Sequence, residues 1–248
     1  MNTTENLRQI RELRMPGMAQ CYQAVMQQPI HQQPEGHELL ATLLQAEVLN
    51  RQHQKTQLLL RLGRLRYQAG IEQITCSSSR NLTKQQMASL ADCSFVQRSE
   101  NILITGATGC GKSYLACALG HQACQLGYKT LYLNMTRFVE RIALAKVEGT
   151  FIKLLNQLEK IKLLILDDFG LQPLDHNTKL ALLQILEDRY QNKSVIVVVQ
   201  LPINKCYEYI NEPTVADAIL DRLSANAHRI ELKGESLRKK INSQSEIN

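Results

Sequence analysis

The spacing of apolar positions changes near residue 82. Before it, Leu39, Leu40, Leu43, Leu44, Val48, Leu58, Leu59, Leu62 and Leu65 recur at helical intervals, which predicts one amphipathic helix or two between His37 and Gln68. Pro16-Gly17 breaks an earlier helix, and Gln28-Pro29 with Gln33-Pro34-Glu35-Gly36 breaks the next. The run Thr75-Cys76-Ser77-Ser78-Ser79-Arg80-Asn81 has the composition of a linker. A helical N-terminal module over 1–75 is therefore expected.

From residue 82 onward, short aliphatic runs alternate with helical patterns. Asn101 to Thr105, Thr130 to Asn134, Leu163 to Asp168, Ser194 to Gln200 and His228 to Leu232 predict five strands. Helices are expected from Lys112 to Leu126 (stopped by Gly127), from a Thr136 cap to Val147, after Gly149, and from Thr178 to Gln191. Thr214 with Asp217 reads as a capping box for a helix running to about Ala225. Strands alternating with helices predict an α/β domain with a mainly parallel sheet over 82–248.

Composition excludes several classes. The 248 residues are 44% hydrophobic and 21% charged, a balance that can bury a core and fits neither a disordered tail nor a collagen. The longest aliphatic runs, Val195 to Val199 and Leu163 to Leu166, are far short of the ~20 apolar residues of a membrane helix. The N-terminal MNTTENLRQIRELR has no apolar core of a secretory signal, so a cytoplasmic protein without a membrane partner is expected. Seven cysteines form no CxxC pair and match no zinc spacing, which makes them small apolar fillers. The net charge of +6 fits an anionic partner such as nucleic acid without requiring one.

The chemistry begins after the first strand. Gly106, Ala107, Thr108, Gly109, Cys110, Gly111, Lys112 and Ser113 fit GxxxxGK[ST], with Tyr114 following in the first helical turn. Glycines let the backbone wrap a phosphate with its N–H groups pointing inward, and the next helix aims its positive end at the same anion. Lys112 would place its charge on the β and γ phosphates, and Ser113 its hydroxyl on magnesium, so ATP and Mg2+ are the expected cofactors. Leu163 to Asp168 is an aliphatic strand ending in two carboxylates. Asp167 is assigned to the metal shell and Asp168 to the attacking water. Asp168-Phe169-Gly170 also spells the kinase DFG, but no HRD-type loop precedes it. Asn204-Lys205-Cys206-Tyr207 begins like a guanine-reading NKxD, but Tyr207 replaces the carboxylate.

Other polar residues admit two readings each. Gln200 ends its strand and either approaches the γ-phosphate or is an ordinary strand-end residue. Arg222, late in TVADAILDRLSANA, is either solvated or delivered to a neighbouring subunit's ATP. Arg238 carries the same pair of readings. Arg51, Lys55, Arg61, Arg64 and Arg66 accumulate in a stretch without acids between Glu47 and Glu72, which suits either DNA phosphates or a solvated helix face.

Taken together, GATGCGKS, LLILDDFGL, PTVADAILDRL and AHRIELKGESLR, in that order, resemble the IstB-type ATPase helpers of insertion-sequence transposition. These are relatives of DnaC-like helicase loaders. The resemblance covers nearly the whole chain, including the early Leu-Arg-Met-Pro-Gly-Met-Ala. It implies an AAA+ P-loop NTPase core and DNA-dependent ATP hydrolysis at interfaces of a homo-oligomer on duplex DNA. It also implies recruitment of a partner transposase. Arg222 would be the trans-acting arginine and Arg238 the second sensor. The alternatives are a helicase loader with the same core and a monomeric nucleotide kinase, which would need no trans arginine and no DNA.

Overall fold

A computed structural model describes residues 3–200 and 203–234. Contacts divide the chain into two units, Met1–Leu58 and Leu59–Asn248.

The first unit is helical, as its spacing predicts. It contains α1 (Thr3–Glu12), α2 (Pro16–Met26) and most of α3 (Gly36–Gly63). Pro16 opens α2 at its first turn, where its missing N–H costs nothing. Gly17 lets α2 approach α3 closely, since a Cβ there would lie 2.6 Å from the carbonyl oxygen of Ala46. The Met18 N–H donates to Glu47 across the same contact at 3.1 Å. Residues 37–63 form a single continuous helix, the simpler of the two arrangements expected.

The second unit holds the α/β domain. Its strands are β1 (Asn101–Gly106), β2 (Thr130–Asn134), β3 (Leu163–Phe169), β4 (Ser194–Val199) and β5 (Ala227–Leu232). They form one sheet in the order β2-β3-β4-β1-β5, parallel throughout. All six residues of β4 are buried, as a central strand covered on both faces requires. The helices are α4 (Lys84–Ala91), α5 (Ser94–Gln97), α6 (Lys112–Gln125), α7 (Met135–Val147), α8 (Phe151–Glu159), α9 (His176–Arg189), α10 (Ile203–Ile210) and α11 (Pro213–Ser224). One core cluster joins α7, α8, α9 and α11 to the sheet through Phe138, Leu166, Leu182 and Ile219. The other joins α4, α5 and α6 to it through Leu90, Phe95, Leu119 and Ile165. Among the described residues no helix is long and apolar enough to cross a membrane.

Several local expectations are corrected. The Ser-rich run is not an extended linker. Ser77 bridges Leu82, Arg80 donates to the Thr75 and Cys110 carbonyls at 2.8 Å, and Asn81 donates to Glu231 at 2.9 Å. Leu65, Tyr67, Ile71, Ile74 and Cys76 also pack on the second core cluster, so the unit boundary falls before them. Asn134, not Thr136, caps α7: its side chain accepts from the Arg137 N–H at 2.9 Å. Asp175 caps α9 through the Thr178 N–H, starting that helix at His176. The Thr214–Asp217 capping box does not form, because Pro213 already opens α11 and Glu212 stands at its N-cap without a side-chain cap. The Glu212 carboxylate goes instead to Lys179 and His176.

Candidate nucleotide-binding site

A parallel sheet gathers its loops at the carboxyl ends of its strands, where α/β proteins bind ligands. Here β1 delivers the glycine loop, β3 the paired acids and β4 Gln200. The loop needs its glycines. Gly106, Gly109 and Gly111 have φ of 140°, 86° and 95°. A Cβ on Gly106 would lie 2.2 Å from the Leu232 carbonyl oxygen of β5, a backbone atom that cannot yield. Lys112 is 4% exposed, and its ammonium donates to the Gly106 and Ala107 carbonyls at 2.7 and 3.0 Å. A buried cation held by loop carbonyls is positioned for an anion that enters the loop.

The two acids are held differently. Asp167 is fully buried. One of its oxygens accepts from the Tyr132 hydroxyl at 2.6 Å and the other from the Asp168 N–H at 2.8 Å. Burial first, and then this bond to a carboxylate, push the Tyr132 hydroxyl pKa upward, so it stays a donor. Asp168 sits where the β3–β4 register shifts, with φ 62°. A bulge of this kind re-aims a side chain beside a site. Its carboxylate accepts from the Gln200 amide at 2.8 Å, and the Gln200 N–H bonds Phe169 at 3.0 Å. Gln200 is therefore in the cluster and not a detached strand end.

Magnesium fits this donor set. The Ser113 hydroxyl, the buried Asp167 carboxylate and phosphate oxygens are all hard oxygen ligands, and this ion is commonly held by one or two carboxylates plus substrate phosphates. Among the described residues no group of three or more His, Cys, Asp or Glu could hold a metal ion by itself.

Three residues enter the site unforeseen. Tyr132 lies two residues before the end of β2, on the strand beside the acids. Arg80 holds the Cys110 carbonyl of the glycine loop. Arg66, expected among DNA contacts, turns inward: its guanidinium is 3.5 Å from Asp168 and 4.0 Å from Asp167. All five residues of that basic set are exposed, with Arg51 pairing to Glu47 at 2.7 Å. Tyr114 donates to Gln73 at 2.6 Å and packs beside Tyr67, joining the loop's helix to the segment before it.

Arg222 lies elsewhere. Its carbonyl accepts from Asn101 at 2.9 Å, at the start of β1, the opposite end from the glycine loop. Its guanidinium pairs with Glu187 at 2.8 Å and Asp221 at 3.0 Å and covers the Tyr190 ring. Arg238 lies outside the described residues.

The comparisons agree with this architecture. The profile of the family described as IstB-like ATP binding protein matches residues 8–245. An insertion sequence ATP-binding protein of Sinorhizobium fredii is 40% identical over 225 residues, 91% of this chain and 92% of its own. The IS1162 ATP-binding protein of Pseudomonas fluorescens is 37% identical over 203 residues, 82% and 88% of the two chains. Among solved structures, the DnaC helicase loader superposes with a TM-score of 0.56 at 15% identity, covering 67% of this chain and 98% of that one. AMPPCP-bound DnaA from Aquifex aeolicus gives 0.57 at 21% identity over 75% and 57%. Those two likenesses concern the fold, which is that of AAA+ P-loop ATPases. The chain belongs to the family of IstB-like ATP-binding proteins of insertion sequences.

Proposed function

We propose that this chain is the ATP-hydrolysing helper of a transposition reaction, assembling on duplex DNA and recruiting or stimulating its transposase. The observation that carries the hydrolytic reading is the convergence of Lys112, Asp167, Asp168 and Gln200 at the carboxyl ends of three adjacent strands. The loop N–H groups and Lys112 bind the phosphates, with Ser113 and Asp167 on the metal side. Bound magnesium would supply charge neutralisation at the phosphate oxygens. Asp168 takes the proton of the attacking water, and Gln200 fixes the orientation of that carboxylate while reaching toward the γ-phosphate. Arg222 serves a neighbouring subunit's ATP, because its place at the far end of β1 keeps it from its own loop. Lys55, Arg61 and Arg64, exposed and outside the ion pairs that engage Arg51 and Arg66, are the cations for DNA phosphates.

Phosphate release measured with and without duplex DNA, alongside light scattering, tests this reading. Turnover and assembly are both expected to rise when DNA and ATP are present together. A monomer whose turnover ignores DNA would support the nucleotide-kinase alternative. Binding to a replicative helicase instead of a transposase would support the loader alternative. Neutralising Lys55, Arg61 and Arg64 as Gln should flatten the salt dependence of DNA affinity by about 0.9 in slope per lost contact.

A further inference from the structure

Two carboxylates side by side at a strand end repel each other unless a cation stands near them. Lys112, the cation of the loop, is turned to the Gly106 and Ala107 carbonyls. Among the described residues, Arg66 is the only cation paired with either acid, at 3.5 Å from Asp168 and 4.0 Å from Asp167. An arginine guanidinium stays charged at any working pH, so this counter-charge does not depend on titration. The guanidinium is also retractable. Its side chain is 42% exposed, whereas Asp167 is fully buried and Asp168 is 19% exposed. One end of this ion pair is fixed and the other can leave.

We propose that Arg66 is a positioning residue that stands in for the divalent metal: it neutralises Asp167 and Asp168 until metal and nucleotide bind, and then yields them. The proposal rests on the magnesium site assigned above. An arginine placed only to hold the fold would support the site with and without metal alike. A stand-in cation acts with opposite signs on the two states. Without divalent metal it relieves the repulsion between the acids and the polyphosphate. With metal present it competes for the same carboxylates.

The test is the affinity of the full-length chain for a fluorescent ATP analogue, measured in EDTA and across a magnesium titration. In Arg66→Ala the affinity in EDTA should fall and the magnesium midpoint should move to lower concentration. Each shift should be up to about fivefold, the range of a partly solvated ion pair. Arg66→Lys keeps the charge and should keep both values near wild type. Arg66→Gln carries the expectation of the Ala variant should that protein not fold. The proposal is overturned if the neutral variants lose affinity equally with and without magnesium, or if their midpoint stays or rises. A wild-type chain that binds ATP without responding to magnesium would instead overturn the metal site itself.

Discussion

Asp168 has a left-handed backbone, φ 62°, at the point where β3 and β4 lose register. For a residue other than glycine, that conformation costs on the order of 1–3 kcal/mol, and Asp and Asn tolerate it best. The neighbouring bonds offset this cost: Gln200 donates to one carboxylate oxygen and Arg66 faces the other. The bulge turns Asp168 away from the buried side of β3, where Asp167 stays with Tyr132. In the proposed mechanism, Asp168→Asn keeps both shape and backbone and removes the charge assigned to the water's proton. ATP binding should persist while hydrolysis slows by about 10²- to 10⁴-fold, the usual worth of a general base. Fluorescence titration paired with a phosphate-release assay separates the two effects. Unchanged turnover would move the proton acceptor elsewhere.

At the scale of elements, strand cores, the glycine loop and the paired acids were legible because each is a contiguous run. Tyr132, Arg66 and Arg80 were not, since each reaches the site across a distance the linear sequence does not encode. Arg66 lies about a hundred residues before the acids it faces and sits in a run whose other cations look the same. Likewise Asn134 both ends β2 and caps α7, and only the bond to the Arg137 N–H reveals the second role. The start of β1 has its own electrostatic tie: Glu100 accepts from Arg98 at 2.8 and 3.0 Å and meets His228 of β5 at 2.8 Å. Arg98 above all, then His228, hold the Glu100 carboxyl down to about 2 from its ordinary 4.5. Because the folded value is the lower one, the stabilisation is present above pH 4.5 and is lost as pH falls toward 2. The carboxylate is partly solvated, so this contribution is about 1 kcal/mol or less. Urea melts from pH 6 to pH 3 should show Glu100→Gln losing less stability on acidification than wild type. Parallel curves would mean that Glu100 carries no pH-linked stability.

At the scale of the whole molecule, the decisive residue lies by the end of β1 opposite its own loop. Arg222 is tied to Asn101, and β1 then runs about 16 Å to Gly106 at 3.3 Å per residue. Within one chain the guanidinium is already engaged by Glu187, Asp221 and the Tyr190 ring, and its buried Nε has no partner. A second copy packed head to tail could present a γ-phosphate to that guanidinium in exchange for Glu187. The charge it meets would grow toward the transition state, so Arg222→Ala should bind ATP almost normally and hydrolyse it poorly. Lys112→Ala should fail earlier, at nucleotide binding, because no other loop cation replaces its ammonium. Mixing the two inactive proteins on DNA discriminates the roles. An Arg222→Ala subunit keeps an intact loop and can receive Arg222 from a Lys112→Ala neighbour. With equal amounts randomly mixed in a head-to-tail assembly, about a quarter of interfaces have the productive order. Phosphate release should therefore reappear at roughly that fraction of wild type. Co-assembly without any recovered turnover would leave Arg222 as the structural partner of Glu187 and Tyr190, and the arginine serving the phosphate would have to be sought elsewhere.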